Sequence, residues 1–483
     1  MGNVGAREMG AAGPAGARWR ITLSQLEEIT MQTLSDEQKI FELSQIWKDA
    51  EYNFVFWDKV NVDWDEEYKK ALSRVLATTD IYEYYRELAR FINLLGDGHT
   101  GITFPMEIMQ SAEYYSMLPV YLVKIGDEFT ILSVDEEYKD TIPMFSTLKK
   151  YDGVEIGEYI KEKCYPYIWH ANEEACGKAV MIELLYGRAG SEVVLTLEKD
   201  GKEFDVRLRR VDATGIKWYT YGMPVPQTIP GKMLLDEQSV KIKMTEDGIA
   251  LIAISTFMDD SVPGKIYEKF DELRRAKGYI IDVRGNGGGN SDNADAVAAL
   301  FISGQFESCA AETQVYEPTY KAWGLLREDF KEISPENVSE MHWDEDSLKS
   351  YRMCKHICFR RESNGARNEA PGKAEGPIVV LMNGDTVSAA EDFVDVMKMH
   401  TSAVFVGSNT AGTSGQPYMV KLESGGNYRI CTRRCIAQNG EDIYNKGFAP
   451  DVRVAVVLSD FLEGRDKAME TAVGILRERI VEP

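Results

Sequence analysis

The chain has 483 residues, 44% of them hydrophobic, and its 55 Lys and Arg against 78 Asp and Glu give a net charge of −23. That length accommodates about three domains at ~150 residues each, and so acidic a surface repels phosphate backbones, which sets nucleic acid aside as a partner. No apolar run approaches the roughly 18 residues of a membrane-spanning helix, so a soluble chain with no membrane span is expected.

The opening "MGNVGAREMGAAGPAGARW" is rich in Gly and Ala and has no apolar core of the kind a secretory signal needs. Residues 1–30 are expected to form a disordered tail, and a cytoplasmic location follows as the expectation. Residues 31–115 read as helical. "SDEQKIFELSQIWKDAEYNF" opens on a Ser35/Asp36 cap and sets Ile40, Leu43 and Ile46-Trp47 on one face. Two further amphipathic stretches follow, and the second stops at Gly96, a C-cap signal.

From residue 116 to 215 the pattern turns to strands. "LPVYLVKIGDEFTILSV" alternates as a hairpin, and "EVVLTLEKDGKEFDVRLRR" is a second hairpin turning at Lys199-Asp200-Gly201. A helical segment, "EEACGKAVMIELLYG", lies between them. From Gly248 the order becomes strand, helix, strand: "GIALIAIS", a helix from Val262 to Gly278, then "YIIDVRG" and a helix over "NADAVAALFI". Such alternation implies a mainly parallel sheet covered on both faces. Residues 303–375 are polar and irregular and read as an insertion, after which "PIVVLM" resumes the core.

Seven cysteines cannot all pair within the chain, and the spacings Cys354-x3-Cys358 and Cys431-x3-Cys435 do not match the common zinc patterns. No metal or other cofactor is expected. The serine in "MNGDTVSAAEDF" stands apart. Ser388 falls where a buried strand gives way to a helix that Asp385 or Thr386 can cap, beside the unpaired N–H groups of the helix mouth. Those N–H groups suit a developing oxyanion, although serines at helix starts are common. The run Gly287-Gly288-Gly289, also after a buried strand, lets the backbone approach a bound group. It lacks the lysine of a phosphate loop and the full dinucleotide-binding spacing. A serine hydroxyl needs a base. Of five histidines, His99 in the tight turn "GDGHT" leads; His342 and His356 fall in the insertion, and His400 ends the helix after Ser388.

In chain order, "YIIDVRGNGGG", "MNGDTVSAAEDF", "VGSNTAGTSGQ" and "GFAPDV" resemble the core of the C-terminal processing (tail-specific) serine peptidases. The upstream "INLLGDGHT" is similar to the histidine-bearing branch that includes the tricorn core protease. The resemblance covers most of the chain from about residue 35. It implies an α/β fold with a crotonase-like (Clp protease/crotonase) spiral core at 216–302 and 376–483. It also implies an N-terminal helical region and a PDZ-like module at 116–215. Ser388 would be the nucleophile, His99 the general base, and Ala389 with Gly287 or Gly288 the oxyanion donors. Thr413 stands where many members carry a catalytic lysine, which argues for the histidine. Tyr444 stands where the tricorn-like branch has a glutamate to orient the histidine, Glu441 is the nearby candidate for that role, and Gly98 replaces the serine that precedes the histidine there.

The reading that follows is a serine endopeptidase acting on a peptide or unfolded protein, with the module adding the peptide as an edge strand. Its rivals are a catalytically inactive peptide-binding relative and, more distantly, an acyl-CoA enzyme of the crotonase type.

Overall fold

The computed structural model describes residues 34–168, 171–220, 227–362, 365–366 and 368–481, so the tail expected at 1–30 lies outside the described residues. Three helices begin the fold: α1 (Asp36–Asn53), α2 (Trp64–Ala77) and α3 (Ile81–Ile92). Each has a side-chain cap. Ser35 Oγ accepts from Gln38 N–H while the Gln38 side chain accepts from Ser35 N–H, and Asp63 and Asp80 cap the other two. The buried stripe of α1 runs through Leu43, Ile46 and Ala50, whereas Ile40, expected inside, is 39% exposed. It lies one position beyond Lys39, whose stem takes the inward place and whose ammonium bonds the Thr78 carbonyl. After α3 and one tight turn, Gly96 adopts φ +63° and redirects the chain into β1 (Gly101–Thr103). His99 rides on that turn.

A second, mostly antiparallel sheet follows, with β2 (Val120–Ile125), β3 (Glu128–Asp135), β4 (Thr147–Tyr151), β5 (Glu192–Lys199) and β6 (Lys202–Arg209) paired in that order. α4 (Gly177–Leu185) packs Val180, Leu184 and Leu185 against it. Lys199 pairs with Lys202, and Asp200 and Gly201 both take positive φ, the backbone a two-residue hairpin turn requires.

The third sheet runs β7 (Gly231–Asp236), β8 (Val240–Thr245), β9 (Ile249–Ile254), β10 (Gly278–Asp282), then β13, β14 and β17, and is parallel from β9 onward. Here β13 is Ile378–Met382, β14 Val404–Gly407 and β17 Val452–Arg453. The alternation of side chains sorts its core. Tyr279, Ile281, Val380 and Met382 face α5 (Ser291–Ala299) and α8 (Ala389–His400). Ile280, Val379 and Leu381 face the C-terminal α9 (Lys467–Val481). Burial on both faces explains why these strands read as unbroken apolar runs. Between β9 and β10 the single helix expected to end at Gly278 is instead two short ones, Val262–Tyr267 and Phe270–Leu273, and Gly278 opens β10. A Cβ at Gly278 would stand 3.2 Å from the Pro377 carbonyl, so the residue belongs to the close pairing with the next strand.

The segment 303–375 is less irregular than its polarity suggests. It supplies β11 (Ala310–Gln314), α6 (Pro318–Leu325), α7 (Glu345–Cys354) and β12 (Phe359–Glu362). Strands β11 and β12 join β1, β15 (Gly415–Lys421) and β16 (Asn427–Ile436) in a five-stranded sheet. In it, β1 pairs with residues 427–429 of β16, which ties the helical region to the C-terminal half. No helix among the described residues is long and apolar enough to cross a membrane.

Candidate active site

Parallel strands β10 and β13 are neighbours, so the loops leaving their C-terminal ends lie side by side. The two loops are laced together. Val387 N–H donates to the Asn286 carbonyl (3.0 Å), Thr386 Oγ1 donates to the Val283 carbonyl (3.0 Å), and Gly285 N–H donates to Asn383 Oδ1 (3.1 Å). Thr386 is thereby used between strands and Asp385 pairs with Lys178, so neither caps α8 as expected. Ser388 itself occupies the N-cap position with no side-chain cap bond, at φ +58°, ψ −127°. That conformation is strained for a residue with a Cβ, and the surrounding bonds enforce it.

The hydroxyl so presented has a partner. His99 Nε2 lies 3.1 Å from Ser388 Oγ, across 289 residues of sequence. His99 Nδ1 lies 2.7 Å from Thr413 Oγ1, and Thr413 Oγ1 in turn donates to Asp97 Oδ1 at 3.4 Å. Asp97 Oδ2 accepts from His99 N–H (3.0 Å) and Thr100 Oγ1 (2.8 Å), which closes the turn around its own carboxylate. Thr413 also accepts Ser388 N–H on its carbonyl at 3.1 Å. Burial, helped by the charge of Arg429, holds the His99 ring down to about 4 and therefore neutral at pH 7. Burial pushes Asp97 up to about 6, against its hydrogen bonds and Arg429, which pull it down.

The glycine loop supplies donors. Gly288 N–H is taken by Asn286 Oδ1 at 2.9 Å, which withdraws Gly288 from the expected donor set. Among the described residues, the N–H groups of Gly287 and Ala389 have no acceptor. Gly288 still matters for its missing side chain: a Cβ there would stand 2.7 Å from Ser388 Cβ. Glu441 does not orient the histidine. It is exposed on the 439–442 turn, bonded to Asn439, while Nδ1 of His99 is already engaged by Thr413. Tyr444, in the register of the expected glutamate, instead sends its hydroxyl to the Gly96 carbonyl at 2.9 Å.

Sequence reasoning missed what lies behind the histidine. Thr413 counted only as a lost lysine, and Asp97 only as a turn residue. Glu391, in the first turn of α8, is fully buried and its carboxylate accepts from Thr410 Oγ1 (2.6 Å), Gly412 N–H (2.7 Å) and Thr413 N–H (2.8 Å). From the antiparallel module, Asn172 holds the same loop through the Thr410 and Ala411 carbonyls. The seven cysteines are all free thiols.

Burial pushes Glu391 and Asp295 up to about 7. The folded state thus keeps protons that the unfolded chain releases, and the stability this gives is lost as pH rises through 7. His99 and His356, both held down to about 4, act oppositely, but only below the ordinary histidine value of 6.5. Between pH 6.5 and 8 the carboxylates therefore decide, at ~1 kcal/mol each. Tm measured calorimetrically is expected to fall across that window, with a shallower slope in Glu391→Gln; a flat or rising Tm would contradict these assignments.

Comparison with known proteins adds a family pattern. Residues 248–454 match the model described as Peptidase family S41. The carboxy-terminal processing protease CtpA of Bacillus subtilis (strain 168) is 22% identical over 275 residues, 56% of this chain and 44% of that protein. A probable CtpA-like serine protease of Staphylococcus haemolyticus (strain JCSC1435) is 22% identical over 277 residues, 57% of this chain and 42% of that protein. The chain thus spans less than half the length of these two curated relatives. Among solved structures, mature CPAF complexed with lactacystin has a TM-score of 0.63 at 17% identity, covering 92% of this chain and 98% of that one. That likeness speaks for the fold alone, and it takes in the helical region as well as the segment that matches the family model.

Proposed function

Because this chain belongs to peptidase family S41, we propose that it is a serine endopeptidase of the C-terminal processing type, with Ser388 as nucleophile and His99 as general base. The observation that carries the reading is the 3.1 Å contact between His99 Nε2 and Ser388 Oγ. Ser388 Oγ attacks the carbonyl carbon of the scissile peptide, and its proton passes to Nε2. The charge that develops on the carbonyl oxygen is met by the N–H groups of Gly287 and Ala389, at the positive end of α8. As the intermediate collapses, His99 returns the proton to the leaving amine and an ester to Ser388 remains. Water, activated by the same ring, hydrolyses it.

The three-layered arrangement of the β7–β17 sheet supports reading the core as crotonase-like, and the sheet and helix of 116–215 support reading that part as a PDZ-like module. The substrate is an extended peptide or unfolded chain, added to the module as an edge strand. An inactive peptide-binding relative is the reading favoured by Tyr444 and Gly98 standing where the tricorn-like branch has the glutamate and serine that partner the histidine. That ground falls away, since Nδ1 has Thr413.

A fluorophosphonate probe tests the reading, because an activated serine attacks its phosphorus, expels fluoride and keeps the phosphonyl group. Labelling is expected at Ser388, located by mass spectrometry of the digested protein. It is expected to be lost or slowed by about 10³-fold in His99→Ala, the range of general-base catalysis. A wild-type protein that folds but takes no label at Ser388 would refute the proposal.

A further inference from the structure

We propose that Thr413 and Asp97 are the positioning residues of His99, a hydroxyl relay to a buried carboxylate in place of an acid bonded directly to the ring. The inference rests on the reading above of Ser388 and His99.

The bond directions follow from counting protons. A carboxylate accepts and does not donate, so at the Thr413–Asp97 contact the single hydroxyl proton of Thr413 points to Asp97 Oδ1. Thr413 Oγ1 then has only lone pairs left for His99 Nδ1, 2.7 Å away, so Nδ1 must carry the ring proton. The tautomer that results leaves Nε2 bare and facing Ser388 Oγ at 3.1 Å, as a base requires. When the ring takes up the serine proton, the charge is felt by Asp97 through one hydroxyl.

The relay is built in from three sides. Thr413 is clamped through its N–H to Glu391 Oε2 and through its carbonyl to Ser388 N–H, so one residue sets the position of both reacting groups. Asp97 is 3% exposed and fixed by His99 N–H and Thr100 Oγ1. Space is reserved as well: a Cβ at Gly98 would stand 2.7 Å from Thr413 Cγ2 and 2.9 Å from Thr413 Oγ1, so a side chain at 98 and the threonine hydroxyl exclude each other. The glycine before the histidine and the threonine after the nucleophile helix are therefore one feature. The charged and titratable groups that face this chain are Asp97 itself, Arg429, whose guanidinium bonds the Gly98 carbonyl at 2.9 Å, Cys431 and Tyr444 from the strand and turn packed on it, and Glu391 beneath Thr413.

The test is the second-order rate of fluorophosphonate labelling at Ser388 between pH 5 and 8, with Tm recorded for every variant. Thr413→Val keeps the shape and deletes the hydroxyl, and is expected to slow labelling about 10²-fold at pH 7. Thr413→Ser restores the hydroxyl and is expected to label within about threefold of wild type. Asp97→Asn is expected to be slow and flat across pH 5–7, because it lacks the ionisation that gives the wild type its acid limb. A folded Thr413→Val that labels like wild type with an unchanged pH profile overturns the relay while the serine peptidase reading stands. If Thr413→Val does not fold, a folded Asp97→Asn that labels at the wild-type rate and keeps the acid limb overturns it equally. A wild-type protein left unlabelled ends both proposals.

Discussion

Ser388→Ala is expected to abolish peptide cleavage, with a fall in kcat/KM of at least about 10⁴-fold, while Tm stays within a degree or two of wild type. The chemistry is lost because, among the described residues, Ser388 Oγ is the hydroxyl bonded to His99 Nε2. The fold is kept because Ser388 Oγ caps nothing: its structural bonds run through its backbone N–H to Thr413 and its carbonyl to Glu391 and Asp392. Alanine has a Cβ too, so it inherits the strain at φ +58°. Ser388→Gly relieves that strain and is expected to be as inactive but more stable, by about 1 kcal/mol. Residual cleavage in purified Ser388→Ala above the level of a mock preparation would show that the nucleophile is elsewhere.

Gly288→Ala is the second large effect, and it arises from a methyl group. Gly288 has φ +91°, and a Cβ there would stand 2.7 Å from both Ser388 Cβ and the Val387 carbonyl and 3.0 Å from Ala389 N. The backbone has to move, and what moves is the loop that faces the nucleophile. Activity is expected to drop about 10²–10³-fold, comparable to the loss of an oxyanion donor, and stability by about 2–3 kcal/mol. Gly287→Ala is the matched control for stability: its Cβ would meet nothing within 4 Å, so Tm is expected to hold. Chemical denaturation and cleavage of an unstructured protein such as casein read the two quantities separately. Equal Tm values for the two variants would refute the steric argument.

Much of this was visible in the sequence because it depends on local rules. The buried strand Ile378–Met382, the handover to a helix at Ser388 and the glycine loop all follow from apolar runs and their interruptions. Strand order does not follow that way. That β10 and β13 are neighbours, and that β1 lies against β16, is decided by pairings between residues far apart in the chain. The partner of the histidine was hidden for a related reason. A search for a carboxylate in a familiar register leads to Glu441, which sits on an exposed turn, whereas the buried acid is two residues before the histidine and reaches it through Thr413. Polarity also misled over 303–375, where exposed faces of β11, β12 and their helices look like loop. "GDGHT" did carry a signal, an acid held between glycines next to the ring it serves.

The pairing of β1 with residues 427–429 has a consequence for synthesis of the chain. His99 is made well before the strand that β1 pairs with among the described residues, which is complete only once translation has passed residue 429, after both Ser388 and Thr413. A nascent polypeptide therefore lacks the β1–β16 pairing that brings His99 to Ser388 and Thr413 until residue 429 has been made. A fragment starting at residue 248 would hold the serine and its glycine loop but stay permanently silent.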